Sequence, residues 1–241
     1  MEIVILTALG VGGATVAGAA LGFIFRKFSL KYGGLIMAFA SGVMLSSSMM
    51  GLILPSLELG GDFAPLITIP SIFLGAMLLD FIEKFLPSED SPPPEEKERR
   101  AVMLFVLAIA LHNLPEGMAA GVGFWTGDLS DALFISVGIA VQNLPEGMVL
   151  IPPMISAGVS PVRAFVYAFL TGVIEVIGTF IGYFAVGAAA FMLPAALAFA
   201  GGTMIYVISE DMMRDKGENH HFGYALLLGF SLMLVFNFVL K

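Results

Sequence analysis

The chain has 241 residues, 58% of them hydrophobic and only 12% charged, with 11 Lys+Arg against 19 Asp+Glu for a net charge of −8. Soluble domains run at about 45–50% apolar and about 25% charged, so composition excludes a water-soluble enzyme, a nucleic-acid binder and a disordered chain. The lack of cysteine excludes disulfides and thiolate metal sites.

Transmembrane β-barrels alternate apolar and polar residues, whereas this chain has long unbroken apolar runs. The predicted fold is therefore an all-α polytopic membrane protein, a single transmembrane domain over residues 1–241. A membrane helix needs roughly 20 mostly apolar residues. Eight segments qualify: 2–25, 33–57, 65–86, 101–125, 131–156, 161–185, 188–212 and 222–240. The first begins Met1-Glu2 without a basic region and is too long for the apolar core of a cleavable signal. Between spans 3 and 4, residues 87–100 read PSEDSPPPEEKERR, and three consecutive prolines amid dense charge predict a flexible loop. Arg26, Lys27 and Lys31 are expected in the link between spans 1 and 2. Lys84, Lys97, Arg99 and Arg100 lie around the next odd link, Arg163 follows span 5, and Arg214 and Lys216 follow span 7. Odd links are therefore expected in the cytoplasm, the 87–100 loop among them, with both termini outside.

Span 4 contains His112-Asn113-Leu114-Pro115-Glu116-Gly117-Met118, and span 5 contains Gln142-Asn143-Leu144-Pro145-Glu146-Gly147-Met148, thirty positions on. Consecutive spans run antiparallel, so the copies predict an inverted-repeat core with a two-fold axis in the membrane plane and a site at mid-depth. Positions four apart share a helix face, which pairs His112 with Glu116 and Gln142 with Glu146 and puts Asn113 and Asn143 on adjoining faces. Pro115 and Pro145 each free a carbonyl in the preceding turn, those of Leu111 and Val141. A third mid-span acid, Glu175, has wholly apolar flanks.

An ionisable group at the bilayer centre costs roughly 2.5–3.5 kcal/mol or more. Three crowded carboxylates repel one another or bind protons, and a divalent cation removes that conflict. One imidazole, three carboxylates and amides suit Zn²⁺, Fe²⁺ or Mn²⁺ better than a soft ion such as Cu⁺. A single mid-span His or Asn more often makes a helix–helix hydrogen bond than binds metal. It is the duplicated set that points to a cation, and the fifteen methionines are read as packing.

NLPEG twice, thirty positions apart in an eight-span chain, resembles the ZIP family of divalent metal transporters, in particular its GufA-like prokaryotic branch. The resemblance extends to Ser41-Gly42-Val43-Met44-Leu45 with Ile53-Leu54-Pro55, and to residues 201–209 with the acids that follow. It implies a binuclear centre: one position from His112, Glu116, Gln142 and Glu146, with Met44 as a soft extra ligand, and a second from Asn113, Asn143 and Glu175, bridged by Glu116 and Glu146. It further implies an entrance acid at Glu58 and exit acids at Glu83 and Glu210, with Asp211 as an alternative to Glu210. Family members often dimerise and move like an elevator, with spans 1, 4, 5 and 6 carrying the metal. Here Gln142 stands where many relatives have His, and Asn143 where branch relatives have Asp, which keeps an oxygen ligand but loses a charge. The loop after span 3 has Ser88-Glu89-Asp90 in place of histidines. His220 and His221 are expected in the inner link before span 8, as possible acceptors of released metal or simply exposed side chains.

The expected function is uptake of divalent cations, Zn²⁺ above all with Fe²⁺, Mn²⁺ or Cd²⁺ open, across a prokaryotic cytoplasmic membrane. The metal is the transported substrate, with no cofactor, and metal ions and lipid are the partners besides a homodimer. No phosphate-binding GxxxxGK[ST] occurs, so ATP is not the driver. A transporter using the carboxylates as proton relays for a non-metal solute is the alternative. An intramembrane metalloenzyme ranks lower, because no H-E-x-x-H is present.

Overall fold

A computed structural model of the chain describes residues 1–84, 110, 113–156, 158–209 and 221–240. The 87–100 loop and the first half of span 4 lie outside them. The described residues form helices and connecting turns: α1 (Glu2–Ile24), α2 (Arg26–Ser47), a π-helical stretch Ser48–Ile53 leading into α3 (Leu54–Leu59), and α4 (Ala64–Lys84). Then follow α5 (113–123), α6 (Leu129–Ser156), α7 (Pro161–Ala188), α8 (Leu193–Val207) and α9 (Phe222–Leu240). Since α2, the π stretch and α3 form one continuous path, these helices account for eight segments. Six stretches among the described residues are long and apolar enough to cross a membrane, and α8 is a shorter apolar helix. The protein is a multi-pass membrane protein.

Two expected boundaries change. The link between spans 1 and 2 shrinks to one residue, Phe25, and Arg26, Lys27 and Lys31 stand in the first turns of α2. Long basic side chains reach polar surroundings from a helix end, so charge there does not delay the helix. Span 7 starts later than 188: a 3₁₀ turn, Ala190–Met192, precedes α8, which starts with Pro194 in its first turn.

Water provides no drive for helix association inside a bilayer, so close packing of small residues must do so. A methyl group on Gly18 would strike the carbonyl oxygen of Leu144, and one on Gly22 that of Met148, which brings α1 onto the backbone of α6. Gly178 and Gly182 meet the carbonyls of Leu114 and Met118 in the same way, joining α7 to α5, and Gly12 and Gly172 face each other between α1 and α7. Gly42 and Gly229 join α2 to α9, while Gly75 and Gly202 join α4 to α8. The helices thus fall into two groups, α1–α5–α6–α7 and α2–α3–α4–α8–α9. Between the groups α2 meets α6 through side chains, with Ser47 Oγ against Gly138 and Ile135 against Gly51. The largest apolar cluster lies along this boundary and includes Met44, Leu52, Ala119, Ile135, Ile139, Leu197 and Met204.

Leu66, Phe73, Met77 and Phe81 are exposed along α4, as the lipid-facing side of a membrane helix requires. At one end of the bundle stand Arg26, Lys27, Lys31, Lys84 and Arg163, with Arg26 reaching Ser156 at the end of α6. Glu2, Glu58, Asp62, Asp128 and Asp131 mark the other end.

Candidate metal centre

The two copies of the motif lie on neighbouring antiparallel helices, Asn113 and Glu116 on α5 and Gln142, Asn143 and Glu146 on α6. Gly117 and Gly147 let α5 and α6 approach other backbones: a methyl there would collide with the carbonyls of Glu175 and Thr15 respectively. Pro145, Pro152 and Pro153 sit inside α6, which nevertheless runs unbroken from Leu129 to Ser156.

Asn113 and Glu116 are 1% exposed, and Gln142, Asn143 and Glu175 are fully buried. Glu116 lies within electrostatic reach of Glu146 and Glu175, and Glu146 within reach of Glu175. Gln142 adjoins Glu116. Among the described residues, both carboxylate oxygens of Glu116, both polar atoms of the Gln142 amide and the amide oxygens of Asn113 and Asn143 have no hydrogen-bond partner. Buried polar atoms are nearly always paired, and each orphan costs about 1–3 kcal/mol. The Gln142 amide faces Glu116 across α5 and α6 without closing a well-formed hydrogen bond, so both side chains are left short of partners. Oxygen donors left in this state are of the kind that hard divalent cations bind.

Glu175 is different. Its Oε1 accepts from the Asn143 amide nitrogen at 2.6 Å and its Oε2 from the Thr15 hydroxyl at 2.9 Å. The same Asn143 nitrogen reaches the Val11 carbonyl at 3.2 Å. Glu175 thus ties α7 to α1 and α6, and the Asn143 oxygen stays unpaired beside it. Thr15 went unnoticed in the sequence, because a threonine in an apolar span carries neither charge nor periodicity. The signal that could have found it is a spacing shared with α7.

The other predicted residues divide. Met44 is fully buried in the apolar cluster with Ala119, Ala120 and Ile139. Glu58 is exposed near the end of α3, at the acidic end of the bundle. Glu83 belongs to the last turn of α4, at the opposite end. His221 is exposed beside Tyr224, with ring centroids 6.5 Å apart. His112, Glu210, Asp211 and His220 lie outside the described residues. Among the described residues no three His, Asp or Glu close on a common point as a metal cluster. The donors near Glu116 are largely amides, and Glu175 is turned toward Thr15 and Asn143.

A family model described as ZIP zinc transporter matches residues 87–237. The zinc transporter GufA of Myxococcus xanthus is 33% identical over 247 aligned residues, covering 96% of each chain. The zinc transporter ZIPB of Bordetella bronchiseptica is 34% identical, with 92% of this chain and 76% of that protein aligned. The zinc transporter ZupT of Chlorobium chlorochromatii is 28% identical over 93% of this chain and 92% of its own.

Proposed function

The chain belongs to the ZIP zinc transporter family, and from that premise we propose that it takes up divalent cations, Zn²⁺ first among them, across a prokaryotic cytoplasmic membrane. The observation that carries this reading is the set of unpaired buried donors on α5 and α6: Asn113, Glu116, Gln142 and the Asn143 oxygen. The end bearing Arg26, Lys27, Lys31, Lys84 and Arg163 is cytoplasmic by the positive-inside rule, which puts the N-terminus and Glu58 outside.

Glu58 and the acids around it concentrate cations at the outer mouth. A cation sheds water and enters between α5 and α6, where Glu116 and Glu146 bind it as carboxylates and Gln142 supplies a neutral donor. His112 completes this first position, with Met44 nearby on α2. Asn113, Asn143 and Glu175 form the second. The Asn143 and Glu175 side chains bind there by exchanging their mutual hydrogen bond for bonds to the metal. Release to the inside passes Glu83 and the acids at 210 and 211. A motion of α1–α5–α6–α7 against the other group opens the two sides in turn.

Purified protein should melt at a higher temperature with Zn²⁺. Saturation at a hundred times Kd adds about 2.7 kcal/mol of stability, against none from Mg²⁺ at equal concentration. An unchanged melting curve with Zn²⁺, Fe²⁺, Mn²⁺ and Cd²⁺ alike overturns the metal reading and favours proton-coupled transport of another solute.

Asn143→Asp gives a second, signed prediction. The aspartate loses the donor to Glu175 and the Val11 carbonyl, so two carboxylates adjoin in the absence of metal. A divalent cation relieves that repulsion. The variant should melt below the unsubstituted chain without Zn²⁺ and gain more from adding it, with the second equivalent bound more tightly in equilibrium metal counting.

A further inference from the structure

A second internal correspondence accompanies the NLPEG repeat. On α1 the residues Gly12, Thr15, Gly18 and Gly22 have the spacing that Gly172, Glu175, Gly178 and Gly182 have on α7. Their contacts agree member by member. Gly18 rests on the Leu144 carbonyl and Gly178 on that of Leu114. Gly22 rests on the Met148 carbonyl and Gly182 on that of Met118. The Thr15 carbonyl covers Gly147 as the Glu175 carbonyl covers Gly117, and Gly12 and Gly172 cover each other. The same two-fold axis that exchanges the NLPEG copies therefore exchanges α1 with α7, and Thr15 is the counterpart of Glu175. The two side chains touch, Thr15 Oγ1 donating to Glu175 Oε2 at 2.9 Å, both of them buried.

Perfect symmetry would put two carboxylates in contact here, and two like charges at that range do not both stay ionised. A hydroxyl on one side removes the conflict and supplies a donor. We propose that Thr15 is the positioning residue of the second metal position. It holds the Glu175 carboxylate by Oε2, so that Oε1, occupied by the Asn143 amide, is the oxygen presented to an incoming cation. The assignment rests on reading Glu175 as a ligand of that position.

The test uses detergent-purified full-length protein, with Co²⁺ as the probe. Thr15→Val keeps the shape and removes the donor, Thr15→Ser keeps the donor, and Thr15→Ala repeats the loss should the valine variant not fold. Equilibrium dialysis gives the two binding constants, and the visible absorption of Co²⁺ reports the ligand set of each equivalent. The unsubstituted chain should bind two equivalents. In Thr15→Val the weaker one should lose about tenfold or more in affinity, with an altered spectrum, the scale of a lost hydrogen bond to a charged group. The tighter equivalent should be unchanged, and Thr15→Ser should restore the weaker one. Two unaltered equivalents in both donor-free variants overturn the role of Thr15 and leave the metal reading standing. Equal weakening of both equivalents shows a packing role and overturns it too. A single equivalent in the unsubstituted chain overturns the second position, and Thr15 with it.

Discussion

Glu116→Ala should abolish ⁶⁵Zn²⁺ uptake into proteoliposomes, with a fall of at least about a hundredfold, while the protein stays folded. Both expectations come from the same observation. Glu116 is 1% exposed, and neither of its oxygens has a partner among the described residues. Its carboxylate is desolvated and repelled by Glu146 and Glu175, with the Gln142 amide as a weak offset, so its removal should leave melting without Zn²⁺ little changed. The rise in melting temperature on adding Zn²⁺ should vanish. Flux within twofold of the unsubstituted protein is incompatible with Glu116 as a ligand of the transported ion. His112→Ala should lose uptake as well. Glu175→Ala should show the reverse balance: milder loss of flux, but lower stability, because it strands the Thr15 hydroxyl and an Asn143 amide hydrogen in the interior. Comparing the two variants separates a ligand from a residue that is both ligand and tie.

Gly121→Val should prevent recovery of folded protein. An added Cβ would run into the Thr179 carbonyl and the Tyr183 backbone nitrogen on α7. These are backbone atoms within a helix and cannot turn aside, so α5 and α7 must part. The cost should exceed the roughly 1–3 kcal/mol of ordinary overpacking. Gly10→Val on α1 is the control: a Cβ there meets nothing within 4 Å. It tests glycine-to-valine in a membrane helix without the collision. Monodispersity on size exclusion and melting temperature are the measurements. If both variants behave alike, backbone contact between α5 and α7 is not what holds this group together.

Much of the fold could be read from the sequence because lipid imposes blunt rules. Long apolar runs, prolines and the placement of Lys and Arg were enough for eight segments and a charged and an acidic end. The one-residue turn at Phe25 could not be read. Three basic residues over 26–31 look like a link, and only packing shows that their backbone is already helical. The π-helical stretch Ser48–Ile53 was equally silent, since nothing distinguishes its side chains from those of an α-helix. In the candidate site, Glu116, Gln142, Asn143 and Glu146 stood out because polar groups are conspicuous in an apolar span and came in duplicate. Glu175 was visible for its charge alone. Its partnership with Thr15 depends on which face of α1 meets α7, which is set by glycines 160 positions apart and not by anything local.

The single-residue turn at Phe25 also limits how the protein can move. It joins α1, in one group of helices, to α2, in the other, so the basic end of α1 is pinned. The turn at Ala189–Met192 joins α7 to α8 at the opposite end of the bundle and pins the counterpart helix there. A body tethered at diagonally opposite corners can tilt far more easily than it can slide. Thr15 lies ten residues from Phe25, about 15 Å at 1.5 Å per residue, so that length is the lever arm on which any tilt about the pin would move it. The reach of such a motion is set by the distance from hinge to cargo.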